Sequence, residues 1–319
     1  MENIYSTIIT NDRLRPSTRI GRVLVDEFMS DKARVITSSC FRRLQTKAQV
    51  FSLEENAAVR TRLTHTLEVA IYGELIASKV VEKLIKNGGI DPAMRAPFVT
   101  AVETACLLHD VGNPPFGHLG EFAIRQWFHE HSEKLMQVWS WNPNSCADTC
   151  EKFSAFKHFD GNAQGLRNVT HLQWLNDEFG LNLTCTTLAS TIKYLGPVPK
   201  KDEVFGKKAG YFHAEGERVS EIWKRLNLRT SNGLPAQRHP LAYIMEAADD
   251  IAYSVSDIED AIEKRIVSER QFFEFIEECD ELSQYIPSTT GDGHVEAQAA
   301  NNSKYLTFKI KLAADLVLL

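Results

Sequence analysis

The sequence has no long apolar segment. None of its 319 residues belongs to a run of about 18 apolar positions, the length that a transmembrane helix needs. Its first residues, MENIYSTIITNDRLRP, also lack the apolar core of a signal peptide. We therefore expect neither a membrane span nor a secretory leader.

Thiol-based sites are also scarce. Six cysteines occur at irregular spacing, only Cys146 and Cys150 lie close together, and no paired CxxC motif exists. A thiolate zinc site is therefore not expected. We interpret the cysteines as reduced thiols of a cytoplasmic protein.

Basic charge is not in excess, since the formal net charge is -6 and the pI is near 6.0. Proteins that coat nucleic acid are usually basic, so the bulk charge gives no support for that function. Arginines 13, 15, 19 and 22 nevertheless cluster near the N-terminus, where they would suit an anionic substrate. The 43% hydrophobic content is ordinary for a globular protein and sufficient for a large core.

Strand signals are few, and YLTFKIKL (305–312) is the best of them. Apolar residues recur with helical period over 61–86, 98–108 and 241–264. The sequence therefore predicts an all-α fold with minor β elements.

We predict one domain over residues 1–319, with a loop-rich insertion at about 131–157. A flexible excursion is expected from Pro287. The apolar end ADLVLL has no polar tail, which indicates a truncated part after about residue 265.

One pair of adjacent residues, His109-Asp110, follows an apolar helix and precedes the turn VGNPPFGH. Neighbouring side chains on a helix point in different directions, so both reach one metal only where the helix ends. The glycines and prolines of the turn supply such an end. The ordinary alternative is a capping or surface role for both residues.

Further candidate ligands lie elsewhere in the chain. His65 shares a helical face with Arg62, although a lone histidine is also often a satisfied core residue. Asp249, Tyr253 and Asp257 form a stripe at i, i+4 and i+8. Carboxylates among three alanines and an isoleucine are costly to bury unpaired, so a metal or polar ligand would satisfy them. The alternative is a solvated acidic face.

The chemistry that these residues offer is metal-assisted. Two imidazoles and two carboxylates suit Mn, Fe, Co, Ni or Zn better than Ca, and they leave positions for water or phosphate. Beyond the turn, His118 and Glu121 are three residues apart and share a helical face. A carboxylate in that position orients an imidazole for acid–base catalysis.

At this point the chain resembles the HD-domain metal phosphohydrolases, and most closely the deoxyguanosine triphosphate triphosphohydrolases. Six ordered blocks carry the resemblance: FRRLQTKAQVF (41–51), RTRLTHTLEV (60–69), LLHDVGNPPFGHLGE (107–121), HFDGNAQGLR (158–167), KKAGYF (207–212) and AADDIAYSVSD (247–257). HD alone would be a weak motif, whereas HDVGNPPFGH together with FDGNAQGLR is specific.

The resemblance implies hydrolysis of dGTP, or of other dNTPs, to the deoxynucleoside and intact triphosphate. It implies a divalent metal, Mn, Mg or another transition metal, held by four ligands: His65, His109, Asp110 and Asp249. Asp249 is chosen over Asp250 because it places Tyr253 and Asp257 on the metal side. His118 and Glu121 would be the catalytic pair.

The resemblance also assigns the substrate contacts. Tyr253 would pack on the deoxyribose, and Asp257 would accept a hydrogen bond from the 3′-OH. For Lys193 and Lys208 the alternative is a role in surface solubility. The full predicted set is Gln49, Arg62, Asn162, Lys193, Tyr194, Lys208, Tyr253 and Asp257.

Members of this family form oligomers, with a hexamer as one form, and some bind single-stranded DNA, so both are partners that the resemblance allows. Two alternatives stay open. One is an HD phosphohydrolase acting on other nucleotides, which would not need the FDGNAQGLR and KKAGYF blocks. The other is a non-catalytic relative that binds nucleotide or nucleic acid.

Overall fold

The computed structural model describes residues 4–138, 155–175, 177–198, 208–228, 237–286 and 301–318. This part of the chain is mainly helical, which confirms the predicted all-α class with minor β elements. Pro197–Val198 (β1) and Tyr211–Phe212 (β2) form a short parallel pair. The α-helices are α1 Ile4–Ile8, α2 Leu24–Thr37, α3 Ser39–Arg42, α4 Arg62–Lys86, α5 Arg95–Leu108, α6 Gly117–Glu130, α7 Ser132–Val138, α8 Gly161–Arg167, α9 Cys185–Thr191, α10 Gly216–Arg225, α11 Pro240–Glu263, α12 Glu269–Glu277, α13 Asp280–Ser283 and α14 Asn301–Leu318.

The central helix is α5. Its sequence RAPFVTAVETACLL carries only Arg95 and Glu103 as charged residues, and nearly all its other side chains are buried. A helix that is apolar around its circumference belongs inside the core. Accordingly, α2, α4, α9 and α11 all pack against it. The C-terminal end of α5 is therefore held firmly, and His109 follows it directly as the C-cap residue.

Helix α4 begins with a capping box in which Thr61 and Thr64 bond each other's backbone N–H groups. His65, Val69, Gly73 and Ala77 are spaced by four residues and all are buried, so they form the stripe that faces the core. A Cβ atom at Gly73 would lie 2.4 Å from the Cys106 sulfur. The absence of a side chain there lets α4 approach α5 closely.

The turn after α5 leads into α6 through two residues with left-handed backbone. Phe116 has φ 64° and Gly117 has φ 53°. A Cβ atom at Gly117 would lie 2.6 Å from a guanidinium nitrogen of Arg62. Glycine therefore serves both the backbone angle and the close approach of Arg62. The turn places His118 and Glu121 in the first turns of α6.

Helix α11 packs on both α4 and α5. It starts at Pro240, a favourable first helical residue, after His239 accepts a hydrogen bond from the Leu241 N–H. The buried positions Ala248, Ala252 and Val255 turn one face of α11 to the core. Asp249 lies at the edge of that face, next to α4 and the end of α5.

A second hydrophobic cluster joins α12 and α14. Here the strand predicted over 305–312 is wrong, because these residues belong to α14. The alternation in FKIKL suggested a strand, but Tyr305, Phe308 and Leu312 at i, i+3 and i+7 all face this cluster. Helical spacing therefore fits the burial better than alternation does.

The predicted insertion at 131–157 begins as a helix rather than a loop, since α7 spans Ser132–Val138. Residues 139–154 lie outside the described residues, as do residues 287–300 of the predicted excursion, which the sequence predicts to run to residue 304. Residues 301–304 instead belong to the first turn of α14, so that part of the prediction is wrong. Within the part of the chain that the structure describes, no helix has the length and apolar character to cross a membrane. The single-domain organisation stays a prediction.

We predict that Gly73→Ala destabilises the fold by about 1–3 kcal/mol, because the added methyl group overlaps the Cys106 sulfur in a packed core. The Tm from thermal unfolding measures the effect. Gly216→Ala is the control, since the nearest atom to its added Cβ is 3.9 Å away and the position is helical. Equal Tm changes for the two variants would contradict close packing of α4 on α5.

Candidate metal centre and active site

Three side chains from three separate elements converge on one point. Asp249 Oδ1 lies 3.3 Å from His65 Nε2 and 3.4 Å from His109 Nε2. One potential ligand atom from each of the three residues lies within 4.8 Å of the others. Asp250, in contrast, is exposed. The structure thus brings together three of the four predicted ligands and points the first carboxylate of the doublet at the imidazoles.

The orientation of His109 suits a metal ligand. Its Nδ1 lies 2.7 Å from the Cys106 carbonyl oxygen, which only accepts, so Nδ1 carries the proton of this hydrogen bond. In a neutral imidazole Nε2 then bears the lone pair. That atom is buried and has no hydrogen-bond partner among the described residues. A lone pair 3.4 Å from a carboxylate oxygen is unfavourable unless a cation satisfies both acceptors, so the donor set fits a metal.

Asp110, the fourth predicted ligand, lies beside this group. Its Oδ1 is 3.6 Å from His109 Nε2 and accepts a hydrogen bond from Asn113. Its Oδ2 forms an ion pair with Arg62, the residue that approaches through the space left at Gly117. Asp110 is therefore adjacent to the three converging side chains but not one of them, and its role as a ligand stays a prediction.

The electrostatics keep both carboxylates ionised. Burial opposes ionisation of Asp249, but His109, His65 and Lys193 outweigh it and hold the pKa of Asp249 well below its ordinary value. The Lys193 ammonium lies 2.6 Å from Asp249 Oδ2. Burial likewise opposes ionisation of Asp110, whereas His109 and Arg62 lower its pKa. Both residues therefore have the negative charge that a ligand carboxylate requires.

His118 and Glu121 form a hydrogen-bonded pair, with Nδ1 and Oε2 3.0 Å apart. The other carboxylate oxygen of Glu121 accepts from the Gly161 N–H at 2.7 Å. Glu121 is buried, whereas the His118 side chain is 82% exposed. The carboxylate is thus held at both oxygens and directs the imidazole, whose Nε2 stays available at the cavity.

A cavity of about 310 Å³ lies beside these groups. The predicted site residues that line it are Gln49, Arg62, His65, His109, Asp110, His118, Glu121, Asn162, Lys193, Tyr194, Lys208, Asp249 and Tyr253. Asp257 is not among the described lining residues. It lies one helical turn beyond Tyr253 on α11.

Opposite charges share the lining of this cavity. Arg62 and Lys193 are paired with Asp110 and Asp249, so their charges are already compensated. Lys208 is exposed at the cavity, with its ammonium 5.8 Å from the centre of the Tyr194 ring. A divalent cation held by His65, His109 and Asp249 would make the cavity net positive, which favours an anion such as a phosphate chain.

Two residues that hold the turn after α5 are not among the predicted site residues. Asn113 donates to Asp110 Oδ1, and its carbonyl oxygen accepts from the Lys47 ammonium at 2.6 Å. Both residues fall inside the blocks 41–51 and 107–121 that carry the family resemblance. Membership in those blocks was the only available signal, because their partners are far apart in the chain.

Comparisons with known proteins agree with this geometry. The HD-domain family model matches residues 62–139, which include His65, the His109-Asp110 pair and His118. The chain is 41% identical over 278 residues to a deoxyguanosinetriphosphate triphosphohydrolase of Cronobacter sakazakii, covering 78% of this chain and 52% of that protein. Identity is 40% over 294 residues to the enzyme of that name from Klebsiella pneumoniae, covering 83% of this chain and 55% of that protein.

A probable deoxyguanosinetriphosphate triphosphohydrolase of Pseudomonas aeruginosa is 41% identical over 266 residues, or 79% of this chain and 51% of that protein. The fold and the His-Asp site thus define an HD-domain protein. Within that class, the chain belongs to the family of the deoxyguanosinetriphosphate triphosphohydrolases. It spans about half the length of the curated relatives that it matches.

We predict that Asp249→Asn lowers metal affinity by more than the roughly 10- to 100-fold that loss of an outer partner costs, because it removes the charge shared by both imidazoles. Elemental analysis of manganese retained after dialysis measures the effect. Asp250→Asn is the matched control, since Asp250 is the exposed neighbour on α11. If Asp249→Asn retained its manganese and Asp250→Asn lost it, Asp250 and not Asp249 would be the ligand of the doublet.

Proposed function

We propose that this chain hydrolyses dGTP to deoxyguanosine and inorganic triphosphate, with a divalent metal as cofactor. One observation carries the proposal: the His65–His109–Asp249 cluster and the His118–Glu121 pair line the same cavity. The 41% identity to proteins named for this activity supports it. Because the chain spans about half of those proteins, their activity comes to it as a proposal.

The proposed reaction adds water to the α-phosphorus and breaks its bond to the 5′ oxygen of the nucleoside. The oxygen of water stays with the triphosphate, and the 5′ oxygen leaves as the hydroxyl group of deoxyguanosine. A bound divalent metal supplies Lewis-acid stabilisation of the phosphate charge. Two imidazoles and a carboxylate suit Mn or another transition metal on ligand chemistry, and the family resemblance also allows Mg; the choice among them is part of the proposal.

His118 is the proposed acid–base residue. Glu121 accepts a hydrogen bond from His118 Nδ1–H, and the Gly161 N–H in turn holds the Glu121 carboxylate. The other ring nitrogen, His118 Nε2, is therefore the atom that would exchange a proton with a substrate in the cavity. When protonated, Nε2 donates to the departing 5′ oxygen. When neutral, it takes a proton from the attacking water. Both roles use the same atom, and both remain within the proposal.

The sugar is proposed to lie at the end of the cavity formed by Gln49 and Tyr253. Gln49 Oε1 and Asp257 Oδ1 are buried acceptors without a hydrogen-bond partner among the described residues. Buried acceptors normally have a donor, so a substrate hydroxyl group would satisfy them. This supports the 3′-OH contact expected for Asp257 and leaves Tyr253 to exclude a 2′-OH.

The proposed contacts of Asn162, Lys193, Tyr194 and Lys208 with phosphates or sugar, and of Arg62 with the substrate, are supported by the position of these residues around the cavity. A cytoplasmic setting is proposed as well. The four cysteines in the described part of the chain, at positions 40, 106, 185 and 279, are free thiols, which suits a reducing compartment. A homo-oligomer, a hexamer among its forms, and single-stranded DNA as a partner stay predictions of the family resemblance.

We expect incubation with dGTP and Mn²⁺ or Mg²⁺ to yield deoxyguanosine and triphosphate in equal amounts. Anion-exchange chromatography of the phosphate products measures this. Each other dNTP and GTP serve as comparisons, and GTP should react more slowly because of Tyr253. Orthophosphate or pyrophosphate as the first product would mean that a different bond is cleaved and would refute the proposal.

We expect His118→Ala to lower turnover by roughly a hundredfold or more, the usual range for an acid–base residue, at unchanged metal content. His129→Ala is the control, because it removes an exposed imidazole from the far end of the same helix. Turnover by triphosphate release and metal by elemental analysis are both measured. Loss of metal in His118→Ala would instead make His118 a ligand.

A further inference from the structure

Arg60 lies just before α4 and is bonded at almost every donor. Its guanidinium forms a two-point contact with the Glu68 carboxylate, with both N–O distances 2.9 Å. It also bonds Asp260 Oδ1 at 2.7 Å and forms an ion pair with Glu259. Its backbone N–H donates to Asp260 Oδ2 at 3.3 Å. A single residue thus connects α4 with the C-terminal half of α11.

Lys309 of α14 completes the cluster. Its ammonium lies 2.8 Å from Glu259 and 3.3 Å from Glu68. The side chains of Arg60 and Lys309 are only 10% and 9% exposed, so their charges are weakly screened by water. Although burial opposes it, the two cations hold the pKa of Glu68 and of Glu259 below the ordinary value. Charged partners that are this buried fix geometry more strongly than surface ion pairs do.

Arg60 also ends the segment 49–60, which carries Gln49. The two ends of this segment are joined by an antiparallel bridge between Ala48 and Thr61. The Arg62 N–H donates to the Lys47 carbonyl at 2.8 Å. Further along the segment, Glu54 pairs with Lys264, which follows α11. The segment therefore contacts α11 only near the C-terminal end of that helix, through Arg60 and through Glu54, among the ion pairs of the described residues.

Gln49 and Asp257 share one property, a buried oxygen without a hydrogen-bond partner among the described residues. The distance between them depends on the contacts that join segment 49–60 to the turn of α11 around residue 257. Arg60 makes such contacts, because it belongs to the segment and forms ion pairs with Glu259 and Asp260, two and three residues after Asp257.

We infer that Arg60, assisted by Lys309, is a positioning residue that fixes the sugar end of the cavity by holding the segment that carries Gln49 to the turn of α11 that carries Asp257. Arg60 is not among the described residues that line the cavity or form the metal cluster. Its effect is therefore on substrate placement and not on the metal. That this end of the cavity receives the sugar rests on the proposed function, whereas the mechanical connection does not.

Arg60→Lys is the test variant, because it keeps the charge and loses the planar fork that serves three carboxylates. We expect the preference for dGTP over 2′,3′-dideoxy-GTP, which lacks the 3′-OH, to fall about tenfold as a ratio of kcat/KM values, since misplacing a contact group by a fraction of an ångström costs about that factor. Bound manganese should be unchanged. Hydrogen exchange in peptides over 49–60 and 253–260 should become faster.

Arg238→Lys is the matched control. Arg238 is 2% exposed and pairs with Glu246 on α11 at 2.6 Å, near the opposite end of that helix. It should lower Tm without changing the dGTP preference or exchange in either segment. Lys309→Met removes the second cation and should change the substrate preference and the hydrogen exchange in the same direction by a smaller factor. It serves as the test variant if Arg60→Lys does not fold.

The outcomes separate the two proposals. If the unmodified protein releases triphosphate and Arg60→Lys lowers only Tm, Arg60 is merely structural and the inference is overturned. If the unmodified protein is inactive on every dNTP, the proposed function fails. The exchange measurement then decides the inference alone: faster exchange in both segments supports the connection, and unchanged exchange overturns it.

Discussion

The carboxylate of Asp249 lies between two imidazoles and an ammonium group, and the rest of the site depends on this contact. His65 Nε2 and His109 Nε2 approach the same oxygen, and Lys193 takes the other. The contact requires the start of α4, the end of α5 and the middle of α11 to meet, since these carry His65, His109 and Asp249. The apolar core around α5 supplies the rigidity, because buried helices that interdigitate cannot slide freely.

Charge is distributed over the cavity in two functional zones. Around the metal cluster, each carboxylate has a cationic neighbour, Arg62 for Asp110 and Lys193 for Asp249, so the carboxylates stay ionised in spite of burial. At the other end, the buried oxygens of Gln49 and Asp257 are unsatisfied within the described chain. The first zone suits a cation and phosphates, and the second suits neutral hydroxyl groups. A nucleotide has both kinds of group at the required ends.

Outside the cavity, the cluster of Arg60, Lys309 and their three carboxylates uses paired charges to hold backbone segments together. It joins α4, α11 and α14, and it does so next to the residues proposed to hold the sugar. A buried ion cluster contributes little net stability, since desolvation offsets most of its attraction. Its value here lies in fixing which parts of the chain face each other, which an apolar contact would do less specifically.

The sequence by itself determined the helical class and the position of His109-Asp110 at a helix end, and it indicated the candidate ligands, because periodicity and the following Gly/Pro turn are local properties. It also located His118 and Glu121, since a spacing of three fixes a shared helical face. Tertiary structure decided which atoms meet. It paired Asp110 with Arg62, brought Arg60 to Glu259 and Asp260 about 200 positions away, and folded residues 305–312 into a helix in spite of their alternating pattern. These outcomes depend on packing between distant segments, and no local pattern encodes that packing.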